Sequence, residues 1–249
     1  MTTIDLSVII PAYNEQTNFK TAVFDEVYQY LKGQFRRFEI IFVDDGSRDD
    51  TAQMLKAYCQ RRPETKLIPN PHQGKALTVK TGMLKAKGKW RLYTDFDQST
   101  PINQVEKLLP WIRQGYDVVI GSREIKGAKR QAEPLHRHLM GKGFNWVVQI
   151  IAVNGFQDTQ CGFKLLTEAA TMTLFPRLKV TTLPKNDPFT GAFDVELLFL
   201  ARRAGLKIRE VPVNWRHVPS TRVNPVKDSG RMLMEVLKIR WANLTGAYA

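Results

Sequence analysis

Apolar and polar positions alternate in blocks along the first half of the chain. Five short apolar runs have the length of strands, and the segments between them place apolar residues three or four positions apart, as Phe24, Val27 and Leu31 do. Apolar strands separated by such helices indicate an α/β fold, with a mostly parallel sheet covered by helices on both faces. The predicted strands are residues 6–10, 38–43, 66–69, 90–94 and 117–123, and the predicted helices are 51–58, 74–86 and one through Phe24, Val27 and Leu31.

The alternation changes after Arg123. Residues 124–138 are basic and contain Gly127, which is typical of a mobile loop. We see no internal repeat and no low-complexity linker, so we predict one domain over residues 1–249, with its two halves meeting after residue 123. In the second half the predicted helices are 134–153, 194–204 and 230–244, and the predicted strands are 161–167 and 206–215.

Clusters of polar residues follow four of the predicted strands. They are "PAYNE" (11–15), "DDGS" (44–47), "TDFD" (94–97) and the end of "DVVIGSR" (117–123). Ligands of open parallel sheets bind beyond the carboxyl ends of the strands. We therefore expect the four clusters to face one crevice.

The charge of the chain predicts an anionic partner. Lys and Arg number 37 against 24 Asp and Glu, a formal charge of +13. A nucleotide diphosphate, a phospholipid surface or a nucleic acid would each fit this charge. A nucleic-acid-binding module would gather basic and aromatic residues on one face, whereas here they are scattered and the carboxylates cluster at strand ends, so we expect no nucleic-acid partner.

Targeting signals and cysteines bear on where the protein works. The start of the sequence shows no signal peptide, and no run approaches the roughly 20 apolar residues of a membrane span. Cys59 and Cys161 are too few for a disulfide scaffold and lack metal-ligand spacing. We expect a cytoplasmic protein that is soluble or lies on a membrane surface.

Asp95 and Asp97 are the leading candidates for metal ligands. Residues i and i+2 of an extended strand point to the same face, and a turn of the backbone at a strand end can bring both carboxylates towards one ion. Carboxylate oxygens suit Mg²⁺ or Mn²⁺, which commonly bridge protein to substrate phosphates. The alternative is a capping role for a helix that starts near Pro101, for which Ser99 and Thr100 are better placed.

Two further clusters fit phosphate or nucleoside chemistry. Asp44 and Asp45 either serve only the turn around Gly46 or, in the case of Asp44, accept hydrogen bonds from a base or ribose. Gly74 and Lys75 open a predicted helix, where free backbone amides and a lysine favour phosphate.

The motifs together resemble those of a known enzyme family. "VIIPAYNE", "FVDDGSRDDT", "YTDFDQSTP" and "VIGSR", in this order and spacing, resemble family 2 glycosyltransferases with the GT-A fold. The second half is similar to the dolichyl-phosphate glucose synthases, which are relatives of the mannose synthases. The segments that carry this likeness are "DTQCGFKLL", "FDVELLFLARRAG" and "EVPVNWRHVPSTRVNPVKDS".

This resemblance implies a reaction. It is the inverting, metal-dependent transfer of a hexose from a nucleotide diphosphate sugar to a polyprenyl or dolichyl phosphate, and it favours glucose from UDP-glucose. GDP-mannose as the donor, or a sugar hydroxyl as the acceptor, are the alternatives within the family, and an inactive nucleotide-sugar sensor is another.

The resemblance also assigns residues. It implies that residues 1–123 bind the donor, with Pro11, Tyr13, Glu15 and Asp44 at the base and ribose, and with Asp45, Lys75 and Phe96 also at the nucleotide sugar. Asp95 and Asp97 would hold the metal and diphosphate, with Gln98 or Ser99 as an extra ligand. Family members often have an acidic residue and an alanine where this chain has Asp95 and Phe96, so the chain departs from the family pattern at a place where the sugar would be contacted.

The half formed by residues 124–249 would bind the acceptor. Arg123 would face the acceptor phosphate or the diphosphate, because guanidinium groups suit phosphate geometry, or would be a surface arginine. Asp194 would position the sugar or acceptor, or would cap its helix. Ser122 and Glu196 would lie at the acceptor, and Arg222 and Lys227 would form a flap over the donor or a solvated basic loop.

Two predicted helices have the composition of membrane-surface helices. Residues 134–153 and 230–244 each combine large apolar residues with Lys and Arg. Such helices either lie on an anionic membrane surface, where a lipid acceptor would be found, or pack their apolar face on the core.

Overall fold

The fold is described from a computed structural model. It describes residues 4–131, 153–179, 191–218 and 225–248, with the backbone alone for residues 225–229. The predicted helix 134–153 and Arg222 lie outside the described residues, apart from Val153. No helix within these ranges is long and apolar enough to cross a membrane.

A seven-stranded sheet forms the centre of the molecule, in the order β3-β2-β1-β4-β7-β5-β8. Every neighbouring pair is parallel except the two pairs made by β7, which is antiparallel to β4 and β5. This confirms the predicted α/β fold with a mostly parallel sheet. The strands of this sheet are β1 (Ile4–Ala12), β2 (Phe38–Asp44), β3 (Thr65–Pro69), β4 (Gly88–Thr94), β5 (Val118–Ser122), β7 (Phe163–Thr167) and β8 (Ile208–Pro212).

Helices cover both faces of the sheet. In the first of them Phe24, Val27 and Leu31 are buried at the predicted three- and four-residue spacing. The helices are α1 (Thr21–Gln34), α2 (Thr51–Gln60), α3 (Lys75–Lys85), α4 (Val105–Arg113), α5 (Glu168–Leu174), α6 (Phe193–Arg203) and α7 (Pro225–Leu244), with short 3-10 turns at Ile102–Gln104 and Phe175–Arg177.

The core lies in two layers, one on each face of the sheet. Ile9 and Ile41 face the layer that contains α3, α5 and α6, whereas Val8 and Ile40 face the layer that contains α1, α2 and α4. Because both faces are buried, the central strands are mostly apolar rather than alternating. α3 packs so closely that a Cβ at Gly82 would overlap Ile9.

The second half differs from the sequence prediction in several places. The predicted strand 206–215 is two strands, because the chain leaves the sheet after Pro212 and β9 (Asn214–Arg216) pairs instead with β6 (Lys129–Gln131). β6 lies within the predicted loop 124–138. The last helix begins at Pro225 instead of residue 230, which places Lys227 in its first turn and not in a loop.

The helix after β4 is not capped as expected. It opens as a 3-10 turn whose N-cap is Pro101, and no side chain caps it. The predicted capping role of Ser99 or Thr100 is therefore wrong. Both residues are buried at the end of the loop that carries Asp97.

Candidate active site

The polar clusters meet at the carboxyl edge of the sheet, as their positions after parallel strands require. The register places Ala12 opposite Asp44 on neighbouring strands, and Ile9 opposite Tyr93. The Asp45 amide donates to the carbonyl of Ala12 at 2.8 Å, which ties the two loops together.

Asp95 and Asp97 lie in a tight turn that follows β4. The Gln98 amide donates to the Asp95 carbonyl at 3.2 Å, and Gln98 takes a φ of +49°. The Ser99 amide donates to the Asp97 carboxylate at 2.9 Å. Partial loss of hydration and the nearby charge of Asp95 raise the pKa of the Asp97 carboxyl, although solvent still reaches its side chain. The turn therefore brings the two carboxylates close enough to repel each other.

Lys75 is the cation nearest to this pair among the described residues. Its ammonium group forms an ion pair with the Asp95 carboxylate. Burial disfavours its charge, but the carboxylates of Asp95, Asp194 and Asp97 outweigh that effect and raise the pKa of Lys75. Lys75 is therefore positively charged at neutral pH.

Asp45 builds the loop that presents Lys75. Its buried carboxylate accepts the backbone N–H groups of Gln73 at 3.0 Å and Gly74 at 2.8 Å, and lies 2.8 Å from His72 Nδ1. Gly74, with a φ of +87°, is the N-cap of α3. Asp45 thus shapes the start of α3, which differs from the role in the turn around Gly46 that the sequence left open.

The donor set around Asp95 fits a hard divalent cation. Two carboxylates converge here, and the side-chain oxygen of Gln98 is buried without a hydrogen-bond partner within the described part of the chain. Among the residues that the structure describes, no group of three His, Cys, Asp or Glu side chains could hold a metal ion. Two carboxylates suffice for Mg²⁺ or Mn²⁺ when substrate phosphates complete the coordination shell. Ser99 supports Asp97 through its amide.

The predicted nucleoside residues line the ends of β1 and β2. The Tyr13 ring stacks on the His72 ring, with centroids 4.1 Å apart and planes 10° from parallel. Asp44 is buried and accepts from the Ser47 hydroxyl at 2.5 Å and the Ser47 amide at 3.2 Å. Glu15 accepts from the Asn18 amide group at 2.7 Å, and Pro11 is buried within β1.

Phe96 does not face the site. It is 6% exposed and packs edge-on against Phe24, with ring centroids 4.9 Å apart, in the core layer under α1. The prediction that Phe96 contacts the nucleotide sugar is therefore corrected: its side chain points away from Asp95 and Asp97, and this explains why an aromatic residue stands there.

Ser122 and Glu196 are also buried, and both have structural partners. The Ser122 hydroxyl accepts the Glu124 and Ile125 amides at 3.3 and 3.4 Å, which closes the turn after β5. Glu196 accepts from the Lys179 amide and the Tyr248 hydroxyl, both at 2.6 Å. These contacts give Ser122 and Glu196 structural roles, and their predicted contact with the acceptor stays a prediction.

Arg123 is held by Asp158, a residue that the sequence reasoning missed. Its Nε and Nη2 atoms donate to the two Asp158 oxygens at 2.7 and 2.9 Å, and its amide donates at 2.9 Å. Burial alone would raise the pKa of Asp158, but the charge and hydrogen bonds of Arg123 lower it to about 2. The guanidinium carbon lies 5.5 Å from the Trp215 ring centroid. Arg123 is thus a fixed cation and not a free surface arginine.

Asp194 belongs to a buried polar cluster. The N-cap of α6 is Ala192, so the capping alternative for Asp194 is wrong. Its carboxylate accepts from the Tyr93 hydroxyl at 2.6 Å and from the Lys164 ammonium at 2.5 Å, and Lys164 has no exposed surface. The sequence signal was the lysine inside the apolar run "GFKLL", since a buried lysine needs a carboxylate partner.

Comparison with known proteins gives this arrangement a context. Residues 7–180 match the family described as glycosyl transferase family 2. The chain is 33% identical over 259 aligned positions to a dolichyl-phosphate beta-glucosyltransferase of Dictyostelium discoideum, covering 98% of this chain and 76% of that protein. It is 34% identical to the Homo sapiens protein of the same description, covering 99% and 78%.

A solved structure shares the architecture. Glucosyl-3-phosphoglycerate synthase from Mycobacterium tuberculosis, crystallised with Mn²⁺, UDP and glucosyl-3-phosphoglycerate, aligns with a TM-score of 0.61 over 96% of this chain and 79% of that one. The sequence identity is 16%, so this likeness concerns the fold alone.

Proposed function

The chain belongs to glycosyl transferase family 2, and we propose that it transfers glucose from UDP-glucose to a dolichyl or related polyprenyl phosphate. The observation that carries the proposal is the cluster of Asp95, Asp97 and Lys75 at the carboxyl end of β4. The donor and acceptor classes are supported by relatives named dolichyl-phosphate beta-glucosyltransferase at about one third identity.

The nucleoside binds at the ends of β1 and β2 in this proposal. Tyr13, stacked on His72, offers a flat aromatic surface to a base. Asp44 and Glu15 supply carboxylate oxygens for base or ribose hydrogen bonds. Asp44 already accepts from Ser47, which fixes the direction of its carboxylate before the ligand arrives.

The diphosphate lies over Asp95, Asp97 and Lys75. Asp95 and Asp97, with the Gln98 side-chain oxygen, would hold Mg²⁺ or Mn²⁺, and this ion supplies charge neutralisation of the departing diphosphate. Lys75 carries a fixed positive charge at the same place. Loss of hydration and the nearby charge of Asp95 both raise the pKa of Asp97, and a cation between the two carboxylates would offset both effects.

The transfer itself needs little help from a base. An oxygen of the acceptor phosphate attacks the anomeric carbon, and the bond from that carbon to the diphosphate oxygen breaks with both electrons leaving on UDP. An acceptor phosphate with a second pKa of about 6 is largely ionised at neutral pH, so no proton has to be removed. Attack opposite to the leaving group inverts the configuration at that carbon.

Arg123 and Asp194 position the reactants. Arg123, held by Asp158, presents a rigid guanidinium group to the acceptor phosphate or the diphosphate. Asp194 is fixed by hydrogen bonds from Lys164 and Tyr93. Its carboxylate can attract the Lys75 ammonium group and accept a hydrogen bond from a sugar hydroxyl. Because the acceptor is a lipid, we place the enzyme at the cytoplasmic face of a membrane, as a peripheral protein.

A transfer assay tests the proposal. The purified protein is incubated with labelled UDP-glucose or GDP-mannose, with a polyprenyl phosphate or the matching polyprenol, in Mn²⁺ or in excess EDTA. We expect label in the lipid only with UDP-glucose, polyprenyl phosphate and Mn²⁺. Transfer from GDP-mannose alone would move the donor assignment to mannose, and transfer to the polyprenol would overturn the phosphate acceptor.

A further inference from the structure

The last helix, α7, carries an apolar stripe that faces solvent. Met234, Leu237, Trp241 and Leu244 are 58%, 45%, 69% and 77% exposed. Only one other large apolar side chain in the described part of the chain, Met172, is exposed to a comparable degree. Four such residues on one helix are not scattered surface positions and indicate an interaction surface.

The spacing of these residues places them on one face. They follow one another by three, four and three positions, which keeps them along one side of a helix at 100° per residue. Val236 and Ile239 lie on the opposite side, are fully buried and belong to the core. The helix therefore has two apolar faces, one packed on the core of the protein and one exposed to solvent.

The charges beside the stripe favour an anionic partner. Lys238 and Arg240 are both exposed and flank the stripe on its two sides. The whole chain carries a formal charge of +13, so a second copy of this protein would be repelled. An apolar strip with an exposed tryptophan between basic residues matches the boundary between lipid headgroups and acyl chains.

The position of α7 connects this surface to the site. The Glu235 carboxylate accepts the Ala192 amide at the start of α6, and the Tyr248 hydroxyl donates to Glu196 on α6 at 2.6 Å. α6 carries Asp194. The stripe is therefore held in a fixed relation to the helix that contributes to the site.

We infer that α7 is the membrane-docking surface of this protein, with Met234, Leu237, Trp241 and Leu244 inserted among the lipids of an anionic bilayer and with Lys238 and Arg240 at the headgroups. The inference rests on the proposed function in one respect, since a polyprenyl acceptor is itself a membrane lipid. Docking through α7 would hold the enzyme at the membrane that contains the acceptor phosphate.

Vesicle binding without any nucleotide sugar tests this inference. The full chain is sedimented with phosphatidylcholine vesicles that contain or lack phosphatidylserine. We expect binding to the anionic vesicles that falls at least about tenfold when the four stripe residues are replaced by serine, a loss of about 1.4 kcal/mol or more. The control Met172→Ser removes an exposed apolar side chain from α5 and is expected to bind as the natural chain does.

Three further variants separate the electrostatic and apolar contributions to binding. Lys238→Gln with Arg240→Gln is expected to weaken binding to anionic vesicles by roughly tenfold, since basic residues near the surface are attracted to anionic headgroups. Lys56→Gln with Arg61→Gln, at two exposed basic residues on α2 and directly after it, changes the net charge equally and is expected to have a smaller effect. The vesicle-induced blue shift of tryptophan fluorescence is expected to be lost in Trp241→Phe.

Three results would overturn the inference. These are no binding of the natural chain to anionic vesicles, equal binding by the stripe variant, and a dimer in analytical ultracentrifugation that the stripe variant breaks. The proposed function is tested separately with a short, water-soluble polyprenyl phosphate. Absence of transfer there, with vesicle binding intact, would reject the transferase assignment and leave the docking surface standing.

Discussion

At the scale of single residues, Asp97 shows a conflict between stability and function. Its raised pKa means that the folded protein disfavours the charged form, so Asp97 lowers stability as the pH rises through its unfolded pKa. An asparagine has no charge to repel Asp95. A ligand site commonly keeps such an unfavourable charge because the ligand needs it.

Asp97→Asn is therefore expected to lower activity strongly without loss of stability. Glucosyl transfer should fall by about a hundredfold or more, as expected when a charge-stabilising group is lost. The free energy of unfolding in urea, without metal, should stay equal or rise by less than about 1 kcal/mol, because Asp97 is exposed and screened. Glu26→Gln, at an exposed carboxylate on α1, is the control. Undiminished transfer by Asp97→Asn would contradict the role given to Asp97.

The pair of Asp158 and Arg123 behaves in the opposite way. The pKa of Asp158 is lowered from 3.8 to about 2, so the pair stabilises the fold at neutral pH. This contribution, roughly 2 kcal/mol, is lost as the pH falls from about 4 to about 2.

Asp158→Asn should lower the free energy of unfolding at pH 7 by about 3 kcal/mol, because a half-buried guanidinium group loses its buried partner. It should also flatten the dependence of stability on pH between about 4 and 2. Urea titrations of both proteins across this range measure the two effects. A variant with the same stability at pH 7 and the same acid slope would show that the pair contributes nothing to folding.

At the scale of elements, the antiparallel strand β7 shapes the site from the side. Its first residue, Phe163, pairs with Thr94 at the end of β4. A Cβ at the preceding Gly162 would overlap the Asp95 carboxylate. The glycine is required by this close approach, which accounts for it in the run "CGFK".

Gly162→Ala should displace Asp95 from Lys75 while leaving the sheet intact. We expect the affinity for UDP in the presence of Mn²⁺, measured by calorimetry, to fall by roughly tenfold or more. Gly33→Ala is the control, because a Cβ at Gly33 in α1 meets nothing within 4 Å. That change should raise stability by about 0.5 to 1 kcal/mol and leave affinity unchanged. Equal affinity in Gly162→Ala would refute the described contact.

The strands of the first half were predictable because each is a local pattern. The predicted ends of β1 to β5 lie within two residues of the observed ends. The direction of β7 was not predictable, since it depends on the path of the chain between distant strands. The short helix α5 has only seven residues and was missed for lack of a repeating pattern.

The site was predictable to the extent that its residues follow strands. Asp95, Asp97 and Lys75 come together as expected from strand ends in a parallel sheet. Asp158 and Lys164 were missed because their partners, Arg123 and Asp194, lie 35 and 30 residues away, and such pairs depend on packing. Phe96 was wrongly assigned to the nucleotide sugar. It stands between the two aspartates in the sequence, and successive side chains of an extended segment point to opposite sides, so its position already predicted that it faces away from them.

At the scale of the whole molecule, nucleotide binding and folding are linked. A ligand that binds only the folded chain stabilises it by about 2.7 kcal/mol at a hundred times its Kd. For a chain of 249 residues this corresponds to a rise in Tm of roughly 5 to 10 °C. Calorimetric melting with UDP and Mn²⁺ should show this rise in Tm. For Asp97→Asn, the rise in Tm with UDP and Mn²⁺ should be no larger than the rise with UDP alone. An equal rise in excess EDTA would mean that the nucleotide binds without a metal.

The central claim is that Asp95 and Asp97 hold a divalent cation together with the diphosphate. Electron paramagnetic resonance of Mn²⁺ tests it most directly, because the signal of free Mn²⁺ falls when the ion is bound. We predict that the protein together with UDP removes this signal to a greater extent than UDP alone, and that a variant with both aspartates changed to asparagine does not. If that variant removes the signal as fully as the natural chain, the account is contradicted.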